Sequence, residues 1–306
     1  MLLWHLPNQF ILSRRSFVTT SLALATTARL QRAGAQSLRS SEPASVCSLT
    51  PEQEVGPYYV PDELFRSDIV EGKPGVPLTL RLAVMNARTC EPLPNVAVDI
   101  WHCDALGLYS GFTKMDPMGP GGPGGPGGRP RGFPPGPPPG FDPQHPGNRP
   151  GPPEGMERMG PPPQNHPTDK LTFLRGIQLT DAQGFVVFQT VFPGFYMGRT
   201  NHIHFKVRTG GHREGKSYAS DHTSHIGQVF FPEEFSARLM EHEPYSKHQI
   251  HRTTQAEDWI YGDQHGASSV ARLDPVHTQD LAAGLHAELI AAVDPAATPA
   301  PARRAF

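Results

Sequence analysis

Two histidines one residue apart, His202 and His204, stand in the apolar run HIHFKV. Side chains two apart on a strand point to one face, so both imidazoles converge while Ile203 and Phe205 pack on the other side. Such a pair offers a metal two nitrogen ligands from one rigid element. A strand that merely carries two polar residues would read the same, so the pair needs partners elsewhere. Two tyrosines supply them: Tyr196 precedes the pair in PGFYMGRTNHIHF, and Tyr109 follows the bend at Gly107 in DALGLYSGF. A phenol with a pKa of about 10 is a poor ligand for Zn²⁺ at neutral pH. A harder, more highly charged ion such as Fe³⁺ deprotonates it and holds the phenolate. Arg199, between Tyr196 and His202, reads on residue type alone as a surface ion-pair partner.

The elements that must position these residues are short strands. Leu78, Leu80, Leu82 and Val84 alternate with Thr79, Arg81 and Ala83, the pattern of a half-buried strand. A second strand is predicted from Val96 to Cys103, with Val96, Val98, Ile100 and His102 on one face and Ala97, Asp99, Trp101 and Cys103 on the other. The turn residues between Asn86 and Asn95 suggest that these two strands pair antiparallel. FLRGIQLT and GFVVFQTVF flank Asp181-Ala182-Gln183-Gly184, a hairpin signal that would deliver the chain to Pro193, Tyr196 and the His pair. Further strands are expected over Gly227–Phe231, Ser269–Leu273 and His286–Val293, with a short helix over Glu233–His242 opened by acidic residues. His222-x-x-His225 and His248-x-x-His251 have metal-like spacing, but their polar, turn-rich surroundings mark them as solvated loop residues, with an approach of His225 to the site through Gln228 as the alternative. Trp101 and Phe195 read as core.

The chain has 306 residues and a formal net charge of −2, which gives no footing for nucleic acid or an anionic membrane surface. No apolar run is long enough to span a bilayer. Residues 1–35 read as a twin-arginine export signal: Ser13-Arg14-Arg15-Ser16-Phe17-Val18, a small-residue run, then Ala33-Gly34-Ala35 as cleavage site. Export would place the protein in the periplasm or outside the cell, where a disulfide is permitted. Cys47 can pair with Cys90 or Cys103; the latter two stand at opposite ends of one strand, out of each other's reach. Most of the excess Pro and Gly lies in residues 116–169, which read as a disordered insertion with too few large apolar residues to bury. Residues 295–306 read as a disordered tail. What remains within 36–294 is about 200 residues of strands and turns, an all-β, antiparallel β-sandwich domain.

VDIWHCDALGLYSGF, FLRGIQLTDAQG, PGFYMGRTNHIHFKV and GQVFFPEE, in that order and spacing, resemble the intradiol ring-cleavage dioxygenases, most of all their exported, single-domain members. The resemblance runs from about Leu49 to Ile260, leaving out the Pro/Gly block, and Tyr-x-x-Arg-x-x-His-x-His is its most specific part. It implies that Tyr109, Tyr196, His202 and His204 hold one non-haem Fe(III) per chain. It also implies that Arg199 is the active-site arginine, that Gln228 is the glutamine behind it, and that Tyr58 lines the substrate pocket. The implied reaction joins a catechol-type diol and O₂ to give a cis,cis-muconate-type acid, with no NAD, flavin or haem. The stretch before Gly56-Pro57-Tyr58-Tyr59 is too short for the helical dimerisation segment of catechol-type members, though a homodimer by another surface stays open. The loop from Tyr196 to His202 is shorter than in protocatechuate enzymes, and no carboxylate-binding cluster accompanies it. Catechol or hydroxyquinol is therefore the expected substrate.

Two other readings make different demands. A secreted β-sandwich binding module without catalysis would need neither iron nor two phenols. A two-His-one-carboxylate Fe(II) oxygenase would need His-x-Asp/Glu where this chain has His202-x-His204.

Overall fold

The computed structural model describes residues 47–61, 64–115, 166–220 and 222–299. The chain forms β1 (Pro77–Asn86), β2 (Ala97–Trp101), β3 (Arg175–Leu179), β4 (Phe185–Val191), β5 (His202–Thr209), β6 (His212–Glu214), β7 (Ser217–Ala219) and β8 (His222–Phe230). Helices α1 (Glu233–Leu239) and α2 (Trp259–Asp263) follow, then β9 (Arg272–His277) and β10 (Asp280–Val293). Two four-stranded sheets, in the orders β4-β1-β10-β9 and β3-β2-β5-β8, pack as a sandwich, with β6 and β7 forming a small separate ribbon. All pairings within the sheets are antiparallel except β1 with β10.

Alternation builds the core. Leu78, Leu80, Leu82 and Val84 of β1 meet Val98 and Ile100 of β2, Ile203, Phe205 and Val207 of β5 and Val229 of β8 in one apolar cluster. Each such buried side chain contributes about 1.5–3 kcal/mol relative to exposure. The β3-β2-β5-β8 sheet is buried on its outer face as well, and all five residues of β2 are buried.

Two expected pairings are replaced. β1 does not pair with β2, because β4 and β10 occupy its two edges. The intervening segment folds back on the end of β1, with Leu93 N–H donating to Val84 O at 2.9 Å, before Asn95 turns it to the opposite sheet. β3 and β4 likewise lie in different sheets, although the tight turn between them is present. Asp181 N–H donates to Phe185 O at 2.9 Å, and the Asp181 carboxylate accepts from Gln183 and Phe185 N–H. Gly184, at φ +79°, lies so near β1 that a Cβ there would meet Val84 O at 2.6 Å. The turn is an arch between layers.

The disulfide joins Cys47 to Cys90 across a Cα separation of 5.5 Å, and Cys103 is free and buried. The export signal (1–35) and most of the insertion and tail lie outside the described residues. The insertion ends sooner than expected, because Asp169 belongs to the folded body. Its carboxylate accepts from Gly111 N–H at 3.0 Å, Thr113 N–H at 2.9 Å, Thr113 Oγ1–H at 2.8 Å and Leu171 N–H at 2.9 Å. Pro295, expected in the tail, accepts at its carbonyl from His222 Nε2 at 3.1 Å. Among the described residues no helix is long and apolar enough to cross a membrane.

Candidate metal centre

The site grows from the outer face of the β3-β2-β5-β8 sheet. Since β5 turns Ile203, Phe205 and Val207 into the core, its alternate residues face outward. Register then sets His204 beside Trp101 on β2 and Gln228 on β8, with Arg175 on β3 beyond Trp101. Residues opposite one another in neighbouring strands share a face, so these four form a transverse row. All four are buried. The Trp101 ring lies flat on His204, with centroids 4.9 Å apart and 4° between planes.

Two irregular segments cover the row. Gln53 N–H donates to Ile226 O at 2.9 Å and its Oε1 accepts from Gln228 N–H at 2.6 Å, laying the start of one segment along β8. That segment brings Tyr58 onto Tyr109, stacked at 4.5 Å, and edge-on to Tyr196 at 5.7 Å. The second segment follows β2. There Asp104 accepts from Leu106 and Leu108 N–H, both at 3.0 Å, tightening the bend that presents Tyr109.

The four expected ligands come together. His202 Nδ1–H donates to Thr200 O at 2.6 Å. A carbonyl can only accept, so the free lone pair of His202 is on Nε2. That Nε2 lies 3.1 Å from His204 Nε2 and 3.5 Å from the Tyr109 hydroxyl. The Tyr196 ring stands 5.7 Å from the His202 ring and 5.8 Å from that of Tyr109. Burial, reinforced by the charge of Arg199, pushes both imidazoles well below their ordinary range, so they stay neutral at neutral pH. Burial pushes the Tyr109 phenol well above 10 and that of Tyr196 up to about 12, with Arg199 pulling Tyr196 the other way. Two neutral imidazole nitrogens with two buried phenols fit a hard cation whose charge is high enough to ionise the phenols. Among the described residues no group of three or more His, Cys, Asp or Glu is arranged to hold a metal.

Arg199 is buried, 5% exposed, which removes the surface ion-pair reading. Its Nε donates to Asp258 at 3.0 and 3.2 Å, Nη1 faces the Tyr196 hydroxyl at 3.5 Å, and Nη2 donates to Gln228 Oε1. Burial opposes its charge, but Asp258 and Tyr196 more than offset this and the guanidinium stays ionised. Asp258 was not legible in the sequence. An acidic residue before Trp259-Ile260 is at most a helix-cap signal.

The other histidines divide. His222 and His225 lie on β8, not in a loop, and His225 is buried with Nδ1 2.8 Å from Glu52 Oε1 and its ring on Phe205. Strand pairing with β5 draws this polar sequence into the sheet. His251 is exposed beside Glu257, whereas His248 packs edge-on against Phe195.

No family model and no curated protein matches the chain. Among solved structures, the intradiol ring-cleavage dioxygenase from Tetranychus urticae is 30% identical, with a TM-score of 0.60, over 83% of this chain and 98% of that one. The chain belongs to the intradiol ring-cleavage dioxygenase family. The dioxygenase domain of a dioxygenase–carbohydrate-binding protein fusion from Streptomyces sp. SirexAA-E is 22% identical, with a TM-score of 0.43, over 81% of this chain and 99% of that domain. Hydroxyquinol 1,2-dioxygenase from Pseudomonas putida DLL-E4 is 15% identical, with a TM-score of 0.40, over 83% of this chain and 68% of that one. As a member of the intradiol family, this chain is a ring-cleaving dioxygenase.

Proposed function

We propose that the protein cleaves an ortho-diphenol between its hydroxylated carbons, using O₂ and one non-haem Fe(III) held by Tyr109, Tyr196, His202 and His204. The observation that carries this reading is that His204 Nε2 and the Tyr109 hydroxyl both lie within 3.5 Å of His202 Nε2, with Tyr196 alongside. When bound there, a ferric ion would supply Lewis-acid activation of the diol and a template for its reaction with O₂.

The protein's own groups do the rest. Thr200 O fixes the His202 tautomer by accepting from Nδ1, and Trp101 fixes the His204 ring plane. Nη1 of Arg199, directed at the Tyr196 hydroxyl, stabilises negative charge that develops on the diol oxygens and the ring. Gln228 spans Arg199 and the covering segment, accepting at Oε1 from Arg199 and donating from Nε2 to Glu54 O at 3.0 Å. Tyr58, Trp101, Tyr109, Phe112 and Tyr196 form an apolar, aromatic surround that holds a planar ring and excludes water. Both oxygen atoms end in the product, a cis,cis-muconic acid when the substrate is catechol.

The aromatic surround favours catechol or hydroxyquinol over protocatechuate, whose carboxylate would need a cation. The Cys47–Cys90 disulfide supports an oxidising location, in keeping with export through the twin-arginine signal. The purified protein should carry iron in equal amount to chain, show a visible tyrosinate-to-Fe(III) band, and convert catechol to muconate with O₂ uptake. Active protein that contains zinc or no metal, or that is colourless, refutes the ligand set. A protein that binds a polymer but turns over no diol is the binding module instead.

A further inference from the structure

Asp258 stands behind Arg199, 1% exposed, with every acceptor position used. One side of the carboxylate caps α2, accepting from Ile260 N–H at 2.9 Å and Tyr261 N–H at 3.2 Å. The other side reaches into the site, accepting from Thr200 N–H at 2.9 Å and Arg199 Nε–H at 3.0 Å. Thr200 is the residue whose carbonyl orients His202. A five-residue helix thus starts from a carboxylate that grips both the arginine and the strap leading to the His pair.

We propose that Asp258 is a positioning residue for Arg199, a role that rests on the dioxygenase reading above. A guanidinium is a rigid planar fork, so holding its Nε edge fixes the direction of both Nη groups. With Nε on Asp258 and Nη2 on Gln228, Nη1 is the group directed at the Tyr196 hydroxyl. The charge of Asp258 also keeps Arg199 stable where burial opposes it, without occupying that working edge. A purely structural role, as cap of α2, would make no demand on Arg199.

Asparagine separates the two roles. Asn caps a helix about as well as Asp. With Oδ1 turned to the cap, however, D258N sets its amide N–H₂ against Arg199 Nε–H and Thr200 N–H, donor against donor. In iron-loaded enzyme with catechol, D258N should lower kcat about 10²-fold with little change in KM, the loss expected from misplacing a catalytic group by about 1 Å. Iron content and the visible band should be retained. R199Q should lose at least as much, and R199Q/D258N should lose no more than R199Q alone. Melting temperatures give a readout apart from turnover: D258N should destabilise the wild type far more than it destabilises R199Q.

Kinetic losses that multiply in the double variant, or a D258N enzyme with wild-type kcat, overturn the positioning role. So does loss of iron in D258N, which would move the action of Asp258 to His202 through Thr200. Should D258N not fold, D258E carries the same cycle, since it keeps the charge and displaces it by one methylene. Wild-type protein that neither binds iron nor cleaves catechol would sink the functional reading itself; wild-type turnover with multiplying losses sinks only the role of Asp258.

Discussion

His102 is an acid-labile point in the core, and its contribution can be worked out from its surroundings. It follows β2 and is fully buried. Nδ1–H donates to Cys103 O at 2.8 Å, which leaves Nε2 to accept from the Thr190 hydroxyl at 2.7 Å. Burial pushes its pKa from 6.5 to about 4, outweighing the opposing pull of the Cys103 carbonyl and Asp104. Above pH 6.5 neither the folded nor the unfolded imidazole is protonated, and His102 adds no pH dependence. As pH falls from 6.5 to about 4, the unfolded chain binds a proton that the folded chain refuses, so stability falls; below about 4 the loss is complete. At about 1.4 kcal/mol per pH unit, that window removes about 3 kcal/mol. His102→Gln keeps a donor and an acceptor but does not titrate. It should be less stable than wild type by about 1–2 kcal/mol at neutral pH. The deficit should shrink as the pH is lowered and vanish or reverse near pH 4. Urea unfolding across that range, with the disulfide intact, measures it. The difference between the two proteins isolates His102, because His202, His204 and the carboxylates titrate in both. A difference that does not change with pH refutes the reasoning.

Gly56 has φ +69°, and a Cβ there would lie 3.1 Å from His204 Cε1 and 3.4 Å from Nε2. Gly56→Ala should therefore cost about 1–2 kcal/mol in backbone strain and also lower iron occupancy. Gly72→Ala is the control, since φ is +71° with nothing within 4 Å of the added Cβ: it should destabilise similarly and keep its iron. Equal iron loss in both, by metal analysis, would show that crowding of His204 is not the cause. Asp169→Ala removes three hydrogen bonds that fasten Gly111 and Thr113, just beyond Tyr109, and one from Leu171 N–H. Thermal melting should report a loss of about 1–2 kcal/mol, discounted for partial exposure, together with a shifted or weakened visible band. An unchanged band would mean that Tyr109 does not depend on this clasp.

Local pattern made much of this molecule legible. Period-two alternation identified β1, the inward and outward faces of β2, and the convergence of His202 with His204. The Asp181–Gly184 turn and the acidic start of α1 also stand where the residues indicated. Alternation tells which face of a strand is buried but not which strand lies beside it. A hairpin and an arch between sheets have the same pattern, so the expected β1–β2 and β3–β4 pairs give way to β1 between β4 and β10 and β2 between β3 and β5. His225 was misread for a related reason: its polar neighbours resemble a loop until β5 pairs with them and Phe205 covers the ring. Asp258 was hidden more deeply, because it lies 59 residues from Arg199 and nothing in its own neighbourhood refers to the site.

The same burial that made these pairings hard to see accounts for the chemistry proposed. A sandwich needs to bury only the inner faces of its sheets, yet here the outer face of β3-β2-β5-β8 is also closed over, by the segments carrying Tyr58 and Tyr109. Removing water from that face keeps His202 and His204 neutral at neutral pH, as metal ligands must be. It also raises the cost of ionising Tyr109 and Tyr196, so a divalent ion of modest acidity would leave them as phenols. A cation of higher charge would recover that cost through two phenolates, which is the reason for proposing Fe(III) rather than Zn²⁺ although both accept imidazole. Arg199 fits the same balance. Its charge lowers the Tyr196 phenol toward ionisation, and Asp258 keeps that charge in a place where water cannot.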